Sequence, residues 1–284
     1  MQTRSTEPLV QKVYALGLTY ADHARETHQL NQGTGVFLKA CSSEVAPERF
    51  VMPTSVQMMD ALQQLDPELA AWLGRYGFKL PVLLDYEVEL GMRLLENCTL
   101  EDINNQQESV PIAYFIANDL TARGLQICGH KMANPLSYWS AAKSMSGMLP
   151  MGDLELEGSS RMWPDINLTT RINGQLRQNA RTSQLIYSPS QVLSQVMRQL
   201  PEQRLHRGDL ILTGTPAGVA MQITPWQYRL GQALPRRWAI LLALKKALRN
   251  PKFLQSGDRL EFAGGKLGRV SLLIEAAHET STYE

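Results

Sequence analysis

A strand-rich α+β fold is the architecture this sequence predicts, and three features predict it. Short apolar or alternating runs of strand length recur from residue 13 to residue 274, clear helical patterns are few, and the two do not alternate as in a βαβ repeat. Residues 13–17 and 36–39 are the first two strand-like runs, and YADHARETHQL between them has helical composition. Residues 56–80 read as helix with a break at Asp66-Pro67, since proline lacks an amide and restricts the residue before it. Residues 83–94, LLDYEVELGMRL, alternate strictly, with Asp85, Glu87, Glu89, Gly91 and Arg93 on one face and apolar groups on the other. Residues 111–118, PIAYFIAN, suit a buried strand, and residues 166–173 run into Gly174 as a hairpin.

Ser188 to Leu200 carries a full helix signature. Ser188 caps, Pro189 takes the first helical position, and Gln191 completes a capping box. Val192, Leu193, Val196, Met197 and Leu200 make one apolar stripe, which is packing and carries no chemistry. Residues 209–213 form a strand entering Gly214-Thr215-Pro216, a turn without the GxxxxGK[ST] spacing of a nucleotide loop. Residues 235–250 predict a basic, partly amphipathic helix, read as a surface helix packed on its own body or as a dimer contact or lid. Residues 258–262 and 269–274 return to strands.

With no repeat and no low-complexity linker, residues 1–284 read as a single domain, interrupted by a helical insertion at about 226–253. Lys plus Arg number 28 and Asp plus Glu 27, so no charge excess points to nucleic acid or to an anionic membrane. Cys41, Cys98 and Cys128 are sparse and in no CxxC pair, which suggests a reducing, cytoplasmic setting and argues against a structural zinc site. No signal-peptide pattern is present, and the apolar stretch at 238–244 is too short to span a bilayer.

Glu87 and Glu89 point the same way if 83–94 is a strand. Alone, the pair describes a half-exposed strand with a charged outer face. Asp119, at the end of the apolar run, adds a third hard oxygen donor, although Asp is also a good helix cap. Three carboxylates suit magnesium, manganese or calcium and leave room for water or substrate. His23 and Glu26 are three apart, a spacing that on a helix builds an oriented general base and also describes a surface pair. Arg123 and Gln126 share that spacing, and Lys143 follows YWSAA, an apolar setting that partly desolvates its amine and suits it to a developing oxyanion. All three also fit solvated surface positions. Thr215 offers a hydroxyl to a bound carboxylate, or simply closes a tight turn.

In this order along the chain, GLTYADHARE, FLKACS, DYEVELG, NDLTARGLQ, AAKSMSGMLPMG, INGQLRQ and GDLILTGTPAGV resemble the fumarylacetoacetate hydrolase family, from about Leu16 to the last strands. The resemblance implies a mixed β-roll with peripheral helices, usually in a homodimer. It implies a magnesium or manganese site on Glu87, Glu89 and Asp119, and a His23–Glu26 dyad in a short lid helix. It places substrate or oxyanion contacts on Arg123, Gln126, Lys143 and Thr215. The chain departs from the pattern at Ala40, where proline is usual, and at Gly124, where a polar residue is usual. Residues 56–80 are expanded, and an extra segment lies at about 226–253.

The implied activity is metal-dependent hydrolysis of a C–C bond in an acylpyruvate-like 1,3-dicarbonyl acid, with a small 2-oxo acid as partner. The same site also suits decarboxylation, isomerisation or hydration of 2-oxo or 2-hydroxy-dienoic diacids. A catalytically silent binding module is the non-enzyme alternative.

Overall fold

The runs at 13–17 and 111–118 are strands of one large mixed sheet in the computed structural model. The structure describes residues 12–17, 19–22, 35–40, 43–105 and 109–277, with the backbone of Gln2–Arg4. His23 and Glu26 lie outside the described residues.

The larger sheet runs Gln2–Arg4, Leu154–Ser159, Pro111–Asn118, Val88–Leu94, Leu210–Leu212, Val13–Leu16, Val36–Lys39. Along this path neighbours are antiparallel except Leu210–Leu212 beside Val13–Leu16, and off it Leu149–Met151 pairs parallel with Ser43–Val45. A second sheet runs Gln175–Arg181, Asn167–Ile172, Arg259–Ala263, Arg269–Glu275, Arg49–Val51. Its hairpin turns at Asn173 and Gly174, with φ of 51° and 78°, the left-handed pair that a tight hairpin requires. The main core lies between the sheets, where Leu90, Ile116 and Ile211 meet Leu168, Phe262 and Leu272. A smaller cluster, including Phe37, Phe115, Ala117 and Leu212, covers the other face of the large sheet. That double cover explains why 111–118 reads as a continuous apolar run.

The alternating segment at 83–94 is two strands. Leu83 takes a left-handed φ of 52°, Leu84–Asp85 pairs with Thr121–Ala122, and Val88–Leu94 then joins the large sheet. The charged face is not half-exposed, because Glu87 and Glu89 are 5% and 2% exposed.

The helices follow their local signals. Ser55–Leu65 and Pro67–Arg75 meet at Asp66, whose carboxylate accepts from the Leu69 amide to start the second helix. Pro189–Arg198 has the full capping box at Ser188 and Gln191. Arg123–Cys128 begins after Ala122 without a side-chain cap, so Asp119 does not cap it. Pro225–Ala233 and Arg236–Ala247 form a helix pair, and the backbone returns from it to Asn250, whose amide group donates to Ala220 O at 2.8 Å. Cys98 and Cys128 are buried free thiols. No helix of the described residues is long and apolar enough to cross a membrane.

Candidate metal centre

Three strand ends bring the acidic groups together. Glu87 lies in the break between Leu84–Asp85 and Val88–Leu94, Glu89 lies in the latter strand, and Asp119 directly follows Pro111–Asn118. Backbone register holds them there, since the Asp119 amide donates to Glu87 O at 2.8 Å and Glu89 pairs with Ala117. One carboxylate oxygen from each of Glu87, Glu89 and Asp119 lies within 4.8 Å of the others, and all three residues are buried. Metal–oxygen bonds of about 2.0–2.6 Å let one hard ion span oxygens so placed.

Cations surround this cluster. Lys143 Nζ donates to Glu87 Oε2 and to Asp119 Oδ2, each at 2.5 Å. Lys39 Nζ donates to Asp119 Oδ1 at 2.6 Å. Arg123 donates through Nε to Asp85 Oδ2 at 2.8 Å, through Nη1 to Gln126 Oε1 at 2.6 Å, and through Nη2 to Glu87. Asp85 also accepts from the Ala220 and Met221 amides at 2.7 and 3.1 Å. Two bonds align the lysines: Ser140 Oγ donates to Leu38 O at 2.5 Å, and the Ala40 amide donates to Ser144 Oγ at 2.9 Å. A proline at position 40 would lack that second donor.

Glu89 differs from the other two acids. Glu87 and Asp119 form ion pairs, whereas Glu89 Oε2 accepts from the Gly214 amide at 2.6 Å. Burial raises its pKa well above the ordinary value, reinforced by the Asp119 and Glu87 charges, with Lys143 and the Gly214 amide opposing. Burial alone would lower the Lys143 pKa, but Asp119 and Glu87 outweigh it and hold the amine protonated. Arg123 is likewise held charged, because Glu87 and Asp85 outweigh its burial. Tyr20, 3% exposed, has a buried hydroxyl with no hydrogen-bond partner among the described residues, and burial followed by the Glu89 charge raises its pKa. An all-oxygen donor set with one buried carboxylate in no ion pair among the described residues fits a hard divalent ion.

The structure thus brings Glu87, Glu89, Asp119, Arg123, Gln126 and Lys143 together, and the surface readings of Arg123 and Lys143 fall because these are 6% and 4% exposed. Thr215 lies at the edge of the cluster, donating to Val88 O at 3.1 Å and accepting from Gln178 Nε2 at 2.8 Å. Its turn serves Glu89 through the Gly214 amide. Sequence reasoning missed Lys39 and Asp85. Lys39 ends an apolar strand and Asp85 shares the alternating face of Glu87 and Glu89, and both features were signals.

The family described as fumarylacetoacetate (FAA) hydrolase C-terminal matches residues 12–274. The chain belongs to this family. An uncharacterized protein of Staphylococcus haemolyticus is 27% identical over 263 residues, which is 92% of this chain and 68% of the relative. Fumarylpyruvate hydrolase from Pseudomonas aeruginosa, solved in complex with Mn2+ and pyruvate, superposes with a TM-score of 0.62 at 21% identity, over 96% of this chain and 93% of that one. The 5-carboxymethyl-2-hydroxymuconate delta-isomerase from Mycobacterium smegmatis gives 0.59 at 22%, over 95% and 78%. These two likenesses show the shared fold. The chain is a fumarylacetoacetate hydrolase family enzyme with a buried Glu/Glu/Asp cluster suited to a metal.

Proposed function

We propose that this chain is a divalent-metal-dependent hydrolase that cleaves a C–C bond in an acylpyruvate-like 1,3-dicarbonyl acid. The observation that carries the reading is the convergence of Glu87, Glu89 and Asp119 within 4.8 Å, buried and flanked by Lys143. These three carboxylates would hold magnesium or manganese, which when bound supplies a Lewis acid for the 2-oxo acid end of the substrate.

The chain's own groups do the rest. Arg123 and Gln126, joined at 2.6 Å, present donors to the substrate's polar end. His23, oriented by Glu26, takes a proton from water as its oxygen bonds to the distal carbonyl carbon. The C–C bond then breaks, its electron pair passes to the pyruvate fragment, and that carbon takes up a proton, giving a carboxylic acid and pyruvate. Lys143, held protonated, balances the negative charge that develops. Solved neighbours of the same fold include a hydrolase and an isomerase, so a second reading keeps this site and moves a double bond in an unsaturated 2-hydroxy diacid.

Assaying the manganese-loaded protein against short acylpyruvates and unsaturated hydroxy diacids decides between them. Pyruvate release from the acylpyruvates, lost in His23→Asn with manganese affinity intact, is the expected result. Turnover of the diacids alone would replace hydrolysis with isomerisation.

A further inference from the structure

We infer that Arg236, on the helix pair 225–247, is a positioning residue that braces the helix bearing Arg123 and Gln126; its link to catalysis rests on the hydrolase reading. The Arg123–Cys128 helix has six residues, too few to be stable on its own, so its placement depends on what grips its ends. At its start, Arg123 Nε donates to Asp85 Oδ2 at 2.8 Å. Asp85 in turn accepts from the amides of Ala220 and Met221, where the chain departs towards the helix pair. At its end, Arg236 donates through Nη2 to Cys128 O at 2.6 Å and through Nε to His130 O at 3.0 Å. Carbonyls at a helix C-terminus lack intrahelical partners, and a cation there also suits the helix dipole.

The same guanidinium reaches two further elements. Nη1 lies 2.8 Å from Asp66 Oδ2, between the helices Ser55–Leu65 and Pro67–Arg75. Nη2 approaches Tyr138 Oη at 3.4 Å, and Tyr138 Oη donates to Asp66 Oδ2 at 3.2 Å. Tyr138 belongs to the Leu136–Ala142 helix, which delivers Lys143. Lys131 strengthens the joint by donating to Gln232 O and Leu234 O, each at 2.7 Å. The two segments that depart from the family pattern therefore meet at one side chain, and that side chain fixes the helices bearing Arg123, Gln126 and Lys143. Arg236 itself touches none of Glu87, Glu89 and Asp119, which strand register holds in place, so the brace bears on placement of the substrate donors more than on ion capture.

The test uses full-length Arg236→Met, Arg236→Lys, Lys131→Met and a control, Arg237→Met, whose pair with Glu68 is exposed. Hydrogen exchange over residues 123–143 should quicken about tenfold in Arg236→Met, with strand 88–94 unchanged, as expected when local bonds and not the global fold are lost. With manganese saturating, oxalate binding should weaken about tenfold while manganese affinity stays within about twofold. Arg236→Lys should recover part of the loss, Lys131→Met should show a smaller loss, and Arg237→Met should match wild type. Wild-type exchange over 123–143 in Arg236→Met would overturn the brace, as would manganese and oxalate affinities falling together. Wild-type protein that binds manganese but not oxalate would overturn the link to substrate and the hydrolase reading, while exchange would still judge the brace itself.

Discussion

Glu89→Gln removes one charge with almost no change in volume, at the acid that has no cationic partner in its cluster. The wild-type carboxylate is 2% exposed and sits beside Asp119 and Glu87, with one hydrogen bond from the Gly214 amide. Its folded-state pKa is raised, chiefly by burial. Stability associated with the protonated form is therefore fully present below the unfolded pKa and is lost as pH rises through the folded one. At neutral pH without a divalent ion, glutamine should stabilise the protein by about 1–3 kcal/mol, the usual cost of an unsatisfied buried polar group. In a chain of this length that is about 2–5 °C in Tm. Manganese at about one hundred times Kd should add about 2.7 kcal/mol to wild type, roughly 5 °C, and little to the variant. The gap between the two melting curves should thus close by about 2.7 kcal/mol between chelator and manganese, reversing their order wherever the glutamine gain is smaller than that. Thermal melts followed by circular dichroism under both conditions provide the assay. A variant that gains the full manganese shift, or melts below wild type in chelator, would refute the reasoning.

Lys39→Met should destabilise the protein by about 1.5–3 kcal/mol in urea titrations, because it strips a 2.6 Å charged partner from buried Asp119 while Lys143 remains; an unchanged midpoint would show the pair to be inert. Gly124→Ala would place a Cβ about 1.8 Å from Pro81 O, so backbone must move; a loss of more than about 2 kcal/mol and weaker oxalate binding are expected from the displaced Arg123 helix. Burial opposes ionisation of Asp66, but the Leu69 amide and Arg236 outweigh it and lower its pKa. Its contribution is present above the ordinary carboxylate pKa and lost as pH falls through the lowered one, so Asp66→Asn should flatten the acid limb of the stability curve, below the ordinary carboxylate range. Ser188→Ala should cost about 1 kcal/mol through its lost cap and leave catalysis intact, as urea midpoints and turnover would show.

Local signals carried much of the fold. The Ser188 capping box, the proline after Asp66 and the Asn173-Gly174 turn act within a few residues, and each element stands where those signals place it. The alternation in 83–94 misled because it reports periodicity and not exposure. A sheet covered on both faces can hold charge inside when opposite charge meets it, as Arg93 meets Glu155 and Arg123 meets Glu87. Lys39, a charge closing an apolar strand, was a signal of burial but did not name its partner, since Asp119 lies 80 positions away and only tertiary packing joins them. Gly124 looked like a lost polar group, yet the space for its side chain is taken by the Pro81 carbonyl. Asp119 was legible because it ends a strongly apolar run, where a charge needs a reason, whereas Glu87 and Glu89 on their alternating face took a metal role from the family resemblance.

The bond from the Asn250 amide group to Ala220 O joins positions thirty residues apart. The polypeptide leaves the sheets and re-enters them almost at the same spot. Growth or shrinkage of that excursion during descent would leave every strand register untouched. A lineage could thus remodel what grips the Arg123–Cys128 helix by altering one excursion, without re-solving the folding problem of the frame beneath it.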